Sequence, residues 1–164
     1  MANKSNKNSN QSSQKMPVPL ASLPAVLLPW YDREKRSLPW RDIVTPYRTW
    51  VSEIMLQQTR VQAVLPYFER FMAAAPDVPA LAELAEDRLL SLWQGLGYYS
   101  RARSLQRSAR VMVDKYGGCL PDTYSDLIQL PGIGDYTAGA ILSIAFNKAV
   151  PAVDGNVLSL DAGL

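Results

Sequence analysis

Two glycines one residue apart open an alanine-rich apolar stretch in Leu130-Pro131-Gly132-Ile133-Gly134-Asp135-Tyr136-Thr137-Ala138-Gly139-Ala140, and an aspartate follows in Val153-Asp154-Gly155-Asn156. A Gly-x-Gly turn into a helix leaves amide N–H groups without intrahelical partners, and a phosphate binds such a cluster of donors. Gly132, Gly134 and Thr137 are the candidate phosphate contacts of this hairpin. A carboxylate a short reach from a phosphate clamp points to chemistry on DNA. The turn by itself is a weak signal, because a tight helix connection uses the same glycines.

Its companions sharpen it. Glu53 stands among Trp50, Val51, Ile54, Met55 and Leu56. Apolar surroundings raise a carboxyl pKa, and a glutamic acid that keeps its proton near neutrality is what a general acid for a leaving group requires. An exposed helix glutamate is the competing reading of this segment taken alone. Asp154 reads both as a helix N-cap and as a catalytic anion. Facing Glu53, it completes the carboxylate pair that supports an oxocarbenium-like transition state when a glycosidic bond breaks. Tyr136 either lends a hydroxyl to that site or packs in the core. Gln57-Gln58 and Leu96-Gly97-Tyr98-Tyr99 offer planar amides and rings that wedge into a base stack as a nucleotide is extruded; core packing of the tyrosines is the alternative.

Composition sets the limits. The 164 residues, 48% hydrophobic and 20% charged, suit one soluble domain with a buried core. A net charge of +2 with no histidine excludes histidine catalysis and histidine metal sites, and leaves DNA contact to local clustering and oriented amides. The single cysteine, Cys119, supports no internal disulfide, zinc site or iron–sulfur cluster; it reads as loop filler in a reducing, cytoplasmic setting. Residues 1–17 are mostly Asn, Ser, Gln and Lys and read as a disordered polar tail. The apolar run 20–30, broken by Pro24 and Pro29, is too short to span a bilayer, so no membrane partner is expected.

Helices must position these groups, since apolar residues recur at helical spacing and no stretch alternates with period two. The expected fold class is all-α. Helices are expected over 27–36, 46–59, 61–74, 80–85, 86–93, 98–116, 121–129 and 136–147, with Leu38-Pro39-Trp40-Arg41 as an extended linker. Thr45-Pro46 supplies an N-cap and a first-turn proline. In 98–116 the stripe Ala102, Leu105, Ala109, Met112, Val113 and Tyr116 marks the buried face; Arg103, Arg107 and Arg110 lie on another face, either solvated or touching DNA. Ala138, Gly139 and Ala140 permit close backbone approach to a neighbour.

Taken together, Leu38-Pro39-Trp40-Arg41, Ser52-Glu53-Ile54-Met55-Leu56-Gln57-Gln58-Thr59, Trp93-Gln94-Gly95-Leu96-Gly97-Tyr98-Tyr99-Ser100-Arg101-Ala102-Arg103, the hairpin and Val153-Asp154-Gly155-Asn156-Val157 resemble the adenine DNA glycosylase (MutY) family. That family lies within the helix-hairpin-helix superfamily that includes endonuclease III. The resemblance implies a six-helix-barrel lobe over 18–150. It implies a double-stranded DNA partner carrying adenine opposite 8-oxoguanine or guanine, and a monomeric base excision repair enzyme of the cytoplasm or nucleoid. It also implies roles. Glu53 protonates adenine N7 and later activates water; Asp154 stabilises or captures the sugar cation; Tyr136 and Asn156 support the carboxylates. Arg36, Trp40 and Arg41 match pocket positions near the adenine, Gln58 and Tyr98 match wedge residues, and Leu96 belongs to the same substrate-binding loop. Bifunctional relatives place a lysine where Tyr136 stands, to attack the sugar as a Schiff-base nucleophile; a tyrosine implies a monofunctional hydrolase.

The resemblance stops after Val157. The family continues into a second lobe with four cysteines that hold a 4Fe-4S cluster, and those cysteines are absent from this sequence. Residues 151–164 therefore read as the truncated start of that lobe, and weakened DNA affinity with low activity is the expectation. A non-catalytic DNA-binding fragment and a thymine- or uracil-directed mismatch glycosylase are the alternative functions.

Overall fold

The computed structural model describes residues 22–154. The polar tail and Asn156 lie outside them. All regular structure among the described residues is helical: α1 (Leu23–Glu34), α2 (Pro39–Asp42), α3 (Pro46–Leu56), α4 (Val61–Ala74), α5 (Val78–Glu83), α6 (Glu86–Trp93), α7 (Tyr99–Tyr116), α8 (Tyr124–Leu127) and α9 (Asp135–Ala145). The chain divides into two compact units, residues 1–36 and 37–164, so α1 belongs to the first and α2 to α9 to the second.

Local chemistry sets most boundaries. Thr45 accepts a hydrogen bond from the Arg48 N–H at 3.2 Å at the start of α3, Asp77 does the same for Ala80 at 2.8 Å in α5, and Thr123 caps α8. Gly117 ends α7 at φ +61°, the left-handed cap that glycine adopts without steric cost, and the Gly118 N–H returns to the Met112 carbonyl at 2.9 Å.

Three expectations are corrected. Leu38-Pro39-Trp40-Arg41 is not extended: Pro39 begins the single turn α2, closed by the Asp42 N–H on the Leu38 carbonyl at 2.9 Å, because proline's fixed φ suits a first helical position. Helix α3 stops at Leu56 rather than Thr59, since the Arg101 guanidinium takes the carbonyls of its last turn. In α7, Ala102, Leu105, Ala109 and Met112 are buried as their spacing implies, but Val113 is exposed, one step of rotation beyond the stripe.

Helix α3 is central in the second unit. It packs against α2, α4, α7 and α9, while α7 also covers α5 and α6. Trp50, Val51, Met55, Phe68, Phe71, Trp93, Met112 and Ile141 form the core, with Phe71 edge-on to Trp93 at 6.0 Å. Buried Gln106 donates to the Leu81 and Leu84 carbonyls at 3.3 and 2.5 Å, satisfying the end of α5 from α7. Ser108 donates to the Pro131 carbonyl at 2.7 Å and so ties the loop before α9 to α7.

Candidate active site

Glu53 leaves α3 on the side that α9 covers. Its neighbours along the helix, Ser52 and Ile54, are fully or nearly buried, and Glu53 itself is half-buried. Burial raises its carboxyl pKa above the ordinary glutamate value, and the charge of Asp154 pushes in the same direction. The Tyr136 hydroxyl, which donates a hydrogen bond to Glu53, and the Arg41 guanidinium oppose that rise. Tyr136 is pushed up to about 12 by burial, then by the charge of Glu53, that hydrogen bond and the charge of Asp154. Residues from α2, α3, α9 and the segment after α9 thus share one electrostatic neighbourhood.

A glycine determines how Asp154 comes to be there. A Cβ on Gly139 would overlap the Pro151 carbonyl oxygen and lie 3.2 Å from the Ala152 Cα, so the strand of chain leading to Asp154 crosses directly over the α9 backbone. The close neighbour that Ala138, Gly139 and Ala140 admit is therefore the chain's own next segment.

The hairpin before α9 has one conformationally demanding glycine. Gly132 sits at φ +82° with Ser104 Cβ 3.0 Å from where a Cβ would be, whereas Gly134 is extended at φ −102° with open space around it. The Ala138 N–H to Gly134 carbonyl bond, 2.9 Å, starts the ladder of α9, so the preceding amides are outside it. The Thr137 side chain is buried at 3% exposure and faces inward, which leaves its backbone amide as the group at the helix start.

Two loops flank the site, and each holds a non-glycine residue in left-handed backbone geometry: Gln58 at φ +56° after α3 and Tyr98 at φ +49° before α7. Both side chains are exposed. Two expected substrate contacts are core residues. Leu96, in the same loop as Tyr98, is buried at 7% in the core. Trp40 is also core, packed edge-on against Phe68 at 5.1 Å. Arg36 closes the first unit of the chain. On α7, Arg103 pairs with Glu86 at 2.8 Å, Arg107 donates to Ser104 at 3.0 Å and Arg110 to the Ala82 carbonyl at 3.2 Å, so that face is engaged in contacts of its own.

Arg101 had no role in the sequence reading, yet its guanidinium reaches both flanking loops. One signal was available. A cation in the first turn of a helix opposes the helix dipole, so Arg101 must answer to something outside α7.

A 4Fe-4S cluster, implied by the resemblance for longer members, does not fit these residues: it needs four thiolates, and the sequence has one cysteine, exposed Cys119. Among the described residues no group of three or more His, Cys, Asp or Glu side chains is placed to hold a metal, and no helix is long and apolar enough to cross a membrane.

Comparison with known proteins agrees with the helical fold. The chain is 46% identical over 132 residues to an adenine DNA glycosylase of Buchnera aphidicola subsp. Baizongia pistaciae, and 50% identical over 140 residues to the Homo sapiens adenine DNA glycosylase. Each match covers 80% of this chain but only 38% and 26% of those relatives, so the chain spans well under half of their length. A solved thermostable thymine-DNA glycosylase superposes with a TM-score of 0.75 at 28% identity, over 80% of this chain and 61% of that one. An endonuclease III trapped on DNA shares the fold, with a TM-score of 0.73 at 22% identity over 84% and 63%. The family described as HhH-GPD superfamily base excision DNA repair protein matches residues 51–160, two thirds of the sequence. With its all-helical second unit, its glycine hairpin opening α9 and that match, the chain belongs to the HhH-GPD superfamily of base excision DNA repair proteins.

Proposed function

We propose that this chain is the catalytic lobe of a monofunctional adenine DNA glycosylase, which acts on adenine opposite 8-oxoguanine or guanine in double-stranded DNA. The observation that carries the reading is the raised pKa of Glu53 beside Tyr136 and within the field of Asp154. A protonated Glu53 gives its proton to N7 of an extruded adenine, so the base leaves with the glycosidic bonding pair as a neutral species. The cation left on the sugar is met by the Asp154 carboxylate, and Glu53, now ionised, takes a proton from the water that adds to the anomeric carbon. Tyr136 holds the Glu53 carboxylate, and the family resemblance gives Asn156 a supporting role. With a tyrosine at 136 there is no amine to form a Schiff base, so the strand is left intact.

The rest of the molecule serves binding. The amides that precede the α9 ladder donate their N–H groups to a phosphate, and open space beside Gly134 lets the DNA backbone come close. Gln58 and Tyr98, exposed at the tips of their loops, contact the opposite base, and Arg41, whose charge acts on Glu53, lines the adenine pocket. The enzyme acts as a monomer on the nucleoid.

The relatives named adenine DNA glycosylase support adenine as the leaving base; the likeness to a thymine-DNA glycosylase keeps a pyrimidine substrate as the second reading. Single-turnover assays on duplexes with A:8-oxoguanine, A:G, T:G and U:G separate them. The expected result is adenine release alone, with Glu53→Gln losing about 10²- to 10⁴-fold in rate while duplex affinity holds. Release of thymine or uracil instead selects the second reading. Duplex binding with release no faster than in Glu53→Gln makes the chain a non-catalytic DNA-binding lobe.

A further inference from the structure

The guanidinium of Arg101 lies where the two flanking loops meet. Its Nη1 donates to the carbonyls of Ile54 at 3.0 Å and Met55 at 3.2 Å, and also to that of Gln57. Its Nη2 reaches Thr59 Oγ1 at 3.4 Å and the carbonyls of Leu96 and Gly97 at 3.4 and 3.3 Å. One side chain therefore takes the unsatisfied end of α3 and the turn before α7 together. It also stacks between rings, 5.7 Å from Trp93 and 5.3 Å from Tyr98.

Each loop it joins has a left-handed non-glycine residue, Gln58 in one and Tyr98 in the other; Asn147, after α9, is the third such residue among those described. An L residue holds that geometry only where its surroundings impose it. The Gly95 position reinforces the constraint, since a Cβ there would overlap the Tyr67 hydroxyl, and the Trp93 indole N–H donates to the Gly97 carbonyl at 3.1 Å. No other side chain among the described hydrogen bonds touches both loops.

We propose that Arg101 is a positioning residue: it holds Gln58 and Tyr98 in a single register, as the two prongs of one wedge, and thereby sets mispair discrimination rather than duplex affinity. The proposal rests on the wedge role assigned above. The planar fork is essential to it, because several carbonyls in different directions need donors at fixed angles, which a lysine ammonium does not supply. Arg101 touches neither base nor sugar in this account; it acts through the two loops.

Two measurements on Arg101→Lys and Arg101→Gln test it, with Arg110→Gln as a control that removes the same charge from α7. In amide hydrogen exchange without DNA, residues 57–59 and 95–98 should speed up together by about tenfold or more in both variants, while α4 and the second half of α7 keep their protection. Response of one loop only, or of neither, overturns the coupling. Acceleration across α4 as well assigns Arg101 to fold stability and also overturns it. In the second measurement, made in a Glu53→Gln background so that no base is released, affinity for the A:8-oxoguanine duplex over a matched duplex should fall by about tenfold, with matched-duplex Kd essentially unchanged. Equal loss on both duplexes overturns the discrimination role. A parent chain with no mispair preference defeats the proposed function instead, and the exchange result then decides the coupling by itself.

Discussion

A carboxyl group that first donates a proton and then accepts one works best with a pKa near the working pH, and Glu53 is balanced by opposed influences. Burial and Asp154 favour its neutral form, while Tyr136 and Arg41 favour its anion. In the proposed reaction the protonated form is required for departure of the base, so the rate falls as pH rises through the raised pKa. Tyr136→Phe removes the hydrogen bond that stabilises the carboxylate; the pKa then climbs further, and the alkaline limb of the pH–rate profile moves upward. Tyr136, held at about 12, keeps its proton throughout this range and adds no limb of its own. Single-turnover rates from pH 5 to 9 (roughly the span of a raised carboxyl titration) check this. A limb that stays in place or shifts downward means that Tyr136 does not govern Glu53.

At the level of elements, the site depends on how closely one backbone passes another. Gly139→Ala places a methyl against the Pro151 carbonyl, which is main chain and cannot swing aside as a side-chain tip would. The segment that delivers Asp154 has to lift, and a displacement of ~1 Å at a reacting group costs on the order of a hundredfold in rate. The same change improves α9 as a helix by up to about 1 kcal/mol, because alanine is the better helix former. Helical circular dichroism should therefore be retained while base release collapses. Activity equal to the parent would mean that the approach over Gly139 has slack and does not position Asp154.

For the molecule as a whole, the core of the second unit supports the loop that carries Tyr98. Phe71 is fully buried against Trp93, whose indole in turn holds the Gly97 carbonyl. Phe71→Ala should cost about 3–5 kcal/mol by loss of transfer energy and the cavity left behind. Urea titration followed by tryptophan fluorescence measures it, and a loss under ~1 kcal/mol would show that the site collapses without penalty. The helices of this unit were largely legible from the chain: the Ala102, Leu105, Ala109 and Met112 stripe and the Thr45 cap act through neighbours in sequence. Burial was decided by distant partners. Trp40 and Leu96 look like pocket and loop residues by motif, but Phe68 and the core claim them.

The sequence by itself determined the all-helical class and the hairpin that opens α9, because periodicity, capping and glycine punctuation are short-range codes, while its spaced motifs carried the resemblance to the superfamily. Tertiary structure alone decided that Glu53 is half-buried rather than an exposed helix glutamate, that Tyr136 and Asp154 reach its neighbourhood, and that Arg101 binds two loops at once. Each of those outcomes depends on how far one helix is rotated and shifted against another remote in the chain. That geometry is set by the packing of α3 with α7 and α9, for which no local pattern of residues is sufficient.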